Sequence, residues 1–445
     1  MSTTMNAAPK TKRPSWMFWL LAGAISLFAI WGIPGVPFHP DESTYLFMSA
    51  DFDVLLSNPA SIAWETAKSV DLRQHYRMID APITRYLLGL GRSIAGLPAL
   101  PADWSWRTSW VNNQQAGALP DERLLQTGRL AITLLIPFSL FFIYLVGRRM
   151  GGEASGLLAA ALLGSNALIL LHTRRTMAEG ALTFGVIFAL WSFLDGWRRP
   201  WLAGLGMALA FNAKQSSLAL LPVGLLAVAW ELKAASVDTR RRAVGKTLTN
   251  VTIFLAVFGL VTLALNPFLW RDPLGAAQAS LAERNALLQR QVTDTMRLAP
   301  EKTLLTTGRR AASLLANLYI LPPSFAEVNQ YHPYTEADEL AYLSAPGQNL
   351  MRGWVGGGVM LTLTLLGLIL GIISLRRAPP DQRKALTLTL LATIFQITAL
   401  IALVPLTWQR YVIPVAPLAC LWAAFSIGYL VNALKRGADQ PPLQK

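Results

Sequence analysis

Charged residues are scarce in this sequence, and it contains one cysteine. Asp, Glu, Lys and Arg make up 14% of the 445 residues, whereas a soluble protein has roughly 25% of them. Together with a mean hydropathy of +0.39, this deficit indicates a protein that lies in a bilayer. The single cysteine, Cys420, excludes an intramolecular disulfide and a cysteine zinc cluster.

Sequence signatures of several common functions are missing as well. There is no Walker A motif to support ATP-driven transport, and no glycine-rich fingerprint follows a predicted strand. The glycine run 356–358 opens an apolar segment, where small residues favour close helix packing over phosphate binding. The four histidines show no metal-binding spacing. We therefore expect no cofactor, and a divalent metal, if one binds, would use carboxylates.

Ten apolar runs have the composition of membrane helices, which need about 20 such residues. The run 200–212 is short and is followed at once by Lys214, so it is a half-length helix or part of a hairpin with the next run. The runs predict an all-α polytopic membrane protein with about ten transmembrane helices. They cover approximately 16–34, 124–146, 154–171, 179–195, 200–212, 215–231, 249–269, 354–375, 385–406 and 411–433.

The net charge of +14 follows from the predicted topology. With the N-terminus in the cytoplasm, 19 of the 39 basic residues but only 6 of the 25 acidic residues fall on the inner face, as the positive-inside rule requires. The basicity is thus an orientation signal, and we expect no nucleic-acid partner. We predict a multi-pass protein with both termini in the cytoplasm, in the plasma membrane if the source is prokaryotic. Residues 32–37 lack a cleavage pattern, which favours an uncleaved anchor over a signal peptide.

Two segments on the predicted outer face, about 35–123 and 271–352, are too long to be simple connections. Both carry apolar residues at helical spacing, near Ile83 and near Leu287, which predicts short interfacial helices within them. The predicted organisation is a cytoplasmic tail over 1–15, a transmembrane catalytic domain over 16–433 and a second cytoplasmic tail over 434–445.

Two adjacent carboxylates, Asp41 and Glu42, stand near the start of the first outer loop. Charges at the mouth of a bilayer cost desolvation energy, which points to a functional role. A carboxylate there could act as general base toward an acceptor hydroxyl, or bind a metal or sugar hydroxyls. The alternative is a helix start in which Asp41 is the N-cap and the helix dipole favours both acids.

Four cations, on three separate connections, lie on the face opposite the positive-inside side. A lipid-linked phosphate would hold them there through bidentate arginine contacts and a lysine point charge. The alternative is snorkelling to lipid head groups or pairing with Glu179. Their recurrence favours an anionic ligand. The four are Arg174, Arg175, Lys214 and Arg410.

The order and sidedness of these motifs resemble the GT-C class of membrane glycosyltransferases, specifically the protein O-mannosyltransferase and lipid A aminoarabinose transferase branch. Asp41 and Glu42 occupy the position of that family's acidic pair. The segment 80–87 resembles its proline-centred motif, with one proline, Pro82, where the family usually has two. The other similar elements are Arg174–Glu179, the lysine Lys214 and the closing Arg-Tyr-x-x-Pro element of residues 410–414.

The resemblance implies a GT-C-like helical bundle that moves a sugar from a polyprenyl-phosphate donor to an acceptor hydroxyl on the outer membrane face, with inversion. It implies that Asp41 is the base and that Glu42 supports it or binds sugar. Membrane lipids and the donor lipid are the expected partners, and the sugar and the acceptor (protein, lipid or glycan) stay open. The implied phosphate-binding residues are Arg174, Arg175, Lys214 and Arg410, with supporting roles for Glu179, Arg85 and Tyr411.

Two other classes of function are compatible with a polytopic membrane protein. A secondary transporter or lipid flippase would show inverted repeats and broken helices with polar residues near the midplane. Here the predicted helix interiors are nearly free of charge, and the short run 200–212 is the feature that favours transport. A noncatalytic scaffold leaves the acidic pair and the outward cations without a purpose. Glycosyl transfer is therefore the primary hypothesis.

Overall fold

A computed structural model describes residues 13–66, 71–234, 239–327 and 329–438. These residues form α-helices, short 3-10 turns, one π-helical turn (Ala316–Ile320) and one isolated bridge between Thr303 and Leu406, with no β-strand in the part described. The predicted tails 1–15 and 434–445 lie mostly outside the described residues. The helices are α1 (Trp16–Trp31), α2 (Pro40–Met48), α3 (Asp51–Ser57), α4 (Arg73–Ile79), α5 (Ile83–Ile94), α6 (Trp110–Gln115), α7 (Glu122–Thr133), α8 (Ile136–Gly151), α9 (Glu153–Ser165), α10 (Ala167–Thr173), α11 (Ala178–Leu194), α12 (Pro200–Ala213), α13 (Leu221–Val228), α14 (Arg240–Leu265), α15 (Pro273–Leu298), α16 (Thr307–Leu315), α17 (His332–Ser344), α18 (Gly353–Ser374), α19 (Pro380–Leu403) and α20 (Ala416–Ala438).

Five helical stretches of the described chain are long and apolar enough to cross a membrane: Glu122–Gly151, which joins α7 and α8, together with α14, α18, α19 and α20. A sixth span results if α9 and α10 are taken as one bent segment. Helices α1 and α11 and the stretch Gln215–Val228 are apolar but shorter, with 10–17 residues. Each predicted apolar run therefore contains a helix, which confirms the all-α character, while the count of about ten spans is not confirmed.

The predicted helix 154–171 is broken in the structure. Helices α9 and α10 meet at an angle of 62°, with Asn166 between them. The Asn166 side chain accepts hydrogen bonds from the backbone N–H groups of Leu168 and Ile169, both at 3.1 Å. The Asn166 side chain therefore caps α10 at a point where the backbone could otherwise have continued α9. The spacing of apolar residues does not show whether a side chain or the backbone makes these hydrogen bonds.

The core of the bundle is built by close helix pairs. Helix α8 packs against α9, α9 against α20, and α20 against α18, while α12 packs between α11 and α14. Small residues allow the close approaches: a Cβ on Gly367 of α18 would lie 1.9 Å from the carbonyl oxygen of Trp422. A Cβ on Gly357 would lie 2.0 Å from the carbonyl oxygen of Tyr319, whereas one on Gly358 would meet nothing within 4 Å, so the packing role predicted for the glycine run is seen at Gly357.

The two long outer loops fold into helices that meet over one end of the bundle. The first holds α2 to α6, including α5 near Ile83 as predicted, and the second holds α15 to α17. Ile62 of the first loop packs with Phe268 and Ala276 of the second, and Trp104 packs with Tyr331. These contacts place the start of α2 beneath the joined loops, where the acidic pair lies.

Candidate active site

Asp41 lies in the first turn of α2, and it is not the residue that caps the helix. His39 is the N-cap: its Nδ1 accepts from the Asp41 N–H at 3.1 Å, and its own N–H donates to Glu42 Oε2 at 3.0 Å. Pro40 fits the first helical position because it has no N–H to satisfy. The predicted alternative with Asp41 as N-cap is therefore wrong. With the cap supplied by His39, the Asp41 carboxylate is available to the site.

Asp41 belongs to a chain of ion pairs that joins distant parts of the sequence. Its carboxylate contacts Arg410 Nη1, and Arg410 Nε lies 3.1 Å from Glu327 Oε1. Glu327 Oε2 in turn lies 2.9 Å from His39 Nε2. Burial would raise the pKa of Glu327, but Arg410 and His39 hold it well below its usual range. Arg410 is thus bound between two carboxylates, and Asp41 keeps 19% of its side chain exposed.

Glu42 has quite different surroundings, because it is completely buried. Arg129 of α7 grips it with two hydrogen bonds, Nε to Oε1 at 2.9 Å and Nη2 to Oε2 at 2.7 Å. The Thr176 N–H donates to Oε1 at 3.0 Å. Burial would raise the pKa of Glu42, but Arg129, with help from Arg175, lowers it. Its acceptor sites are taken by the protein itself, as in a structural ion pair.

Arg129 is a residue that the sequence analysis missed. Besides Glu42, its guanidinium donates to the carbonyl oxygens of Ile33 and Val36, at 3.3 and 2.8 Å. It therefore ties the segment after α1 to α2 and α7. The available signal was an arginine inside the apolar run predicted for 124–146, because a charge within a span normally has a designated partner.

Arg174 and Arg175 follow α10, and both are buried. Arg174 donates to the carbonyl oxygens of Phe28 and Ala29 at the end of α1, both at 2.8 Å, and its guanidinium fills the space above Gly32. Arg175 donates to the carbonyl oxygen of Pro37 at 3.2 Å. The structure does not bring Arg174 to Arg410, since its contacts lead to α1 instead.

Lys214 ends α12 and pairs with Glu179 in the first turn of α11, at 2.5 Å between Nζ and Oε1. For Lys214, the structure therefore contains the predicted alternative to phosphate binding, which was an ion pair with Glu179. The other Glu179 oxygen is buried without a hydrogen-bond partner among the described residues. Lys214 itself stays about one-fifth exposed, so it can still meet a ligand.

Asp80, Tyr45 and Arg284 complete the polar cluster, and none of them was a predicted site residue. The Tyr45 hydroxyl donates to Asp80 Oδ1 at 3.4 Å, while Arg284 of α15 donates to the Ile79 carbonyl oxygen and to the side chain of Gln215. Burial raises the pKa of Asp80, although Arg284 and other cations act against it. Arg284 thus connects the first loop to the segment after Lys214.

The two remaining predicted residues lie at the edges of this cluster. Arg85 donates to Asp51 at 3.3 Å and to the Asp80 carbonyl oxygen at 3.0 Å, so it supports the segment that carries Asp80. Tyr411 stacks on Trp408 with ring centres 5.5 Å apart. Burial raises the pKa of Tyr411 to about 12, and the phenol is neutral at physiological pH.

The arrangement alternates acids and bases at one end of an apolar bundle. Its members that are not fully buried can accept a proton or bind an anion: Asp41 and Asp80 are the acids, and Lys214, Arg284 and Arg410 are the cations. Over the described residues there is no group of three or more His, Cys, Asp or Glu side chains with the geometry of a metal site. What the site offers is a carboxylate base beside fixed positive charge.

No protein-family model and no curated protein matches this sequence. Solved structures do match in shape. The Archaeoglobus fulgidus oligosaccharyltransferase in complex with Zn and sulfate aligns over 94% of this chain and 50% of its own, with 14% identity and a TM-score of 0.53. ArnT from Cupriavidus metallidurans, bound to undecaprenyl phosphate, aligns over 95% and 64%, with 14% identity and a TM-score of 0.50.

The chain has the GT-C glycosyltransferase fold. It spans about half the length of the oligosaccharyltransferase and 64% of ArnT, so the fold extends over almost all of this chain but not over all of those proteins. The resemblance predicted from the motifs is confirmed at the level of the GT-C fold. Residues 271–352, the second predicted outer loop, supply Arg284 and Glu327 to the end of the bundle that carries Asp41.

Proposed function

We propose that the protein is a membrane glycosyltransferase that moves a sugar from a polyprenyl-phosphate donor to an acceptor hydroxyl, on the outer membrane face and with inversion. The observation that carries this proposal is the position of Asp41, which stands beside Arg410 at the end of an apolar bundle. A lipid donor reaches such a site from the bilayer, while an acceptor reaches it from the aqueous side.

The proposed reaction uses the two kinds of charge for two tasks. The acceptor hydroxyl oxygen bonds to the anomeric carbon of the sugar as the bond from that carbon to the phosphate oxygen breaks. Asp41 takes the hydroxyl proton, and the phosphate leaves with the bonding electron pair. Arg410, Lys214 and Arg284 stabilise the negative charge that grows on the phosphate.

The other predicted residues have indirect roles in this proposal. Glu42 and Arg129 hold the start of α2 and thereby fix Asp41. Arg174 and Arg175 brace the connection between α10 and α11 through backbone carbonyls, and we propose that they position the site without touching the phosphate. Glu179 holds Lys214, while Arg85 holds the Asp80 segment.

Two solved structures with this fold support the choice of ligands. ArnT was solved with undecaprenyl phosphate, and the oligosaccharyltransferase was also solved tethered to an acceptor peptide, in a structure that aligns over 96% of this chain with 12% identity and a TM-score of 0.52. We infer a polyprenyl-phosphate partner for this chain. The acceptor and the sugar can be identified by mass spectrometry of lipid and protein glycans from cells with and without the gene.

The deciding variant is Asp41→Asn, which keeps the side-chain shape but removes the base. We expect it to fold normally and to lose sugar transfer by roughly 10²–10⁴-fold, the range for a general base. Asp294→Asn on the exposed side of α15 is the matched control, since it makes the same chemical change on the same face. Asp41→Asn protein that still transfers sugar at the wild-type rate would exclude Asp41 as the base.

The bend between α9 and α10 favours secondary transport as a second candidate, because transporters use broken helices. The two functions differ in one measurable respect. Purified protein in lipid vesicles should cleave the bond between sugar and phosphate if it is a transferase. Movement of an intact lipid-linked sugar across the vesicle membrane, without bond cleavage, would favour the transporter.

A further inference from the structure

Trp197 lies at the opposite end of the bundle from Asp41. It stands in the turn between α11 and α12, whereas Glu179 lies in the first turn of α11. The 17 residues of α11 separate the two ends by roughly 25 Å, at 1.5 Å per residue. A ligand at Trp197 therefore does not reach the proposed active site.

Three cations from three different elements surround the Trp197 ring. The Arg198 guanidinium, in the same turn, lies 4.4 Å from the ring centre. Lys246 Nζ, from α14, lies at 5.2 Å, and Lys384 Nζ, from the first turns of α19, lies at 5.5 Å. An aromatic face attracts each cation separately. It does not relieve their repulsion for one another, so the cluster is suited to a negative partner.

Two acidic residues near Trp197 already form ion pairs. Glu231 pairs with Lys246 at 2.5 Å, and Asp195 pairs with Arg149 at 3.2 Å. Over the described ranges, Lys384 and Arg198 take part in no salt bridge, although Lys384 is only 3% exposed and Asp195 and Asp381 are near enough to attract it. An anion seated at the ring would give this buried ammonium a counter-charge in direct contact.

We propose that the Trp197 cluster, formed by Trp197, Arg198, Lys246 and Lys384, binds the phosphate head group of an anionic membrane lipid. Basic pockets between membrane helices on the cytoplasmic side are suited to such head groups. One exposed face of α14 is apolar: Ile253 and Leu260 are 37% and 65% accessible and lie seven and fourteen positions after Lys246, on the same side of the helix. An acyl chain can lie along these side chains below the head group. A free phosphate ion would make no use of that face.

The proposal is tested with the full-length protein in neutral detergent, by titrating phosphatidylglycerol and recording the thermal unfolding midpoint and lipid adducts in native mass spectrometry. Phosphatidylcholine and inorganic phosphate are the comparison ligands. We expect phosphatidylglycerol to be retained and to stabilise the protein, and the double variant Arg198→Gln/Lys384→Gln to weaken its apparent affinity by about tenfold or more.

The matched control is Arg376→Gln/Arg377→Gln, which removes two exposed charges from the connection between α18 and α19, on the same predicted face. It should leave lipid affinity unchanged. If loss of Lys384 impairs folding, the single variants Trp197→Leu and Arg198→Gln still test the proposal. Each of them by itself should lower the affinity for phosphatidylglycerol. An equal loss of lipid affinity in the control variant would overturn the proposal, because the lipid would then respond to the overall positive charge of this face and not to the Trp197 cluster. Equal stabilisation by inorganic phosphate would overturn it also, because the site would then bind a free anion.

Discussion

Asp41 and Glu42 are neighbours of the same chemical type, and the fold gives them different tasks. Asp41 is accessible and its partner is Arg410, which a ligand can also contact. Glu42 is buried, and Arg129 and the Thr176 N–H occupy its oxygens. The resemblance assigned both to the chemistry. In the structure, the surroundings and not the residue type divide the pair into a partly exposed acid and a buried, structural one.

The Glu42–Arg129 pair leads to a prediction about stability. Glu42→Ala should lower the free energy of unfolding by about 3–5 kcal/mol, because it leaves a buried guanidinium without its counter-charge. The double variant Glu42→Leu/Arg129→Met should cost less, since it removes both charges. Thermal unfolding in detergent measures the difference. If Glu42→Ala were as stable as Asp41→Asn, the Glu42–Arg129 pair would not contribute to the stability of the fold.

Asp80 leads to a second prediction at this scale. Burial raises its pKa above the value in an unfolded chain, so the ionised carboxylate destabilises the folded protein at neutral pH. That cost disappears as the pH falls through the folded pKa. We expect Asp80→Asn to raise the thermal midpoint by a few degrees at pH 7.

The advantage of Asp80→Asn over the wild type should shrink as the pH is lowered below 7, since a growing fraction of the wild-type carboxyl then becomes neutral as well. Parallel thermal scans at pH 7 and at a lower pH measure this. A variant whose advantage is constant with pH, or which is less stable at pH 7, would contradict the assignment. Sugar transfer should also change in the same variant, because Asp80 is close enough to Lys214 and Arg284, the proposed phosphate-binding cations, to interact with their charges.

Single residues were predictable where a charge broke a local rule. Asp41 and Glu42 follow a predicted span, and Lys214 and Arg410 contradict the positive-inside rule, so sequence alone drew attention to them. Glu327 broke no such rule, because acids are common in a long outer loop. Its place in the site depends on a contact with His39 across 288 residues, which no local pattern reports.

Among the secondary-structure elements, α15 has an unusual position. It is 26 residues long and mostly exposed, with Ala276 as its buried residue, yet Arg284 reaches from it to the first loop and to Gln215. The sequence predicted a helix near Leu287 from apolar spacing. It did not single out Arg284, because a cation on an exposed helix face is ordinary. Helix α15 therefore adds a positive charge to the site, although it buries little surface against the rest of the protein.

Arg284→Ala should weaken binding of polyprenyl phosphate by about tenfold, the value of one charge-assisted hydrogen bond. Its thermal midpoint should stay near that of the wild type, because α15 buries little surface. Arg297→Ala removes an exposed charge from the same helix and serves as the control. Binding can be followed by displacement of a fluorescent lipid phosphate, and unchanged affinity would remove Arg284 from the phosphate site.

Across the whole molecule, the sequence predicted the all-α bundle and the two folded outer loops. Apolar runs report that a segment is buried in protein or lipid, but they do not report where it bends or how it is capped. Asn166 breaks one run, and α7 and α8 join across another. The number of spans and the union of the two loops depend on such local and long-range contacts, which is why sequence reasoning left them open.

The predicted orientation can be tested with the single cysteine. Cys420 is completely buried, so Cys420→Ala should give a cysteine-free background that still folds. In that background, Leu298→Cys on the loop side, where Leu298 is 80% exposed, should react with a membrane-impermeant maleimide in intact cells. Arg377→Cys should react only after permeabilisation. The reverse pattern would show that the active-site end faces the cytoplasm.

The ion pair between Asp41 and Arg410 has a consequence for kinetics. In the reaction proposed above, the base and the phosphate anchor neutralise each other while no substrate is bound, which suppresses hydrolysis of the donor by water. A donor that recruits Arg410 would release Asp41 in the same event. We therefore expect a compulsory order of binding, in which the lipid-linked sugar binds before the acceptor.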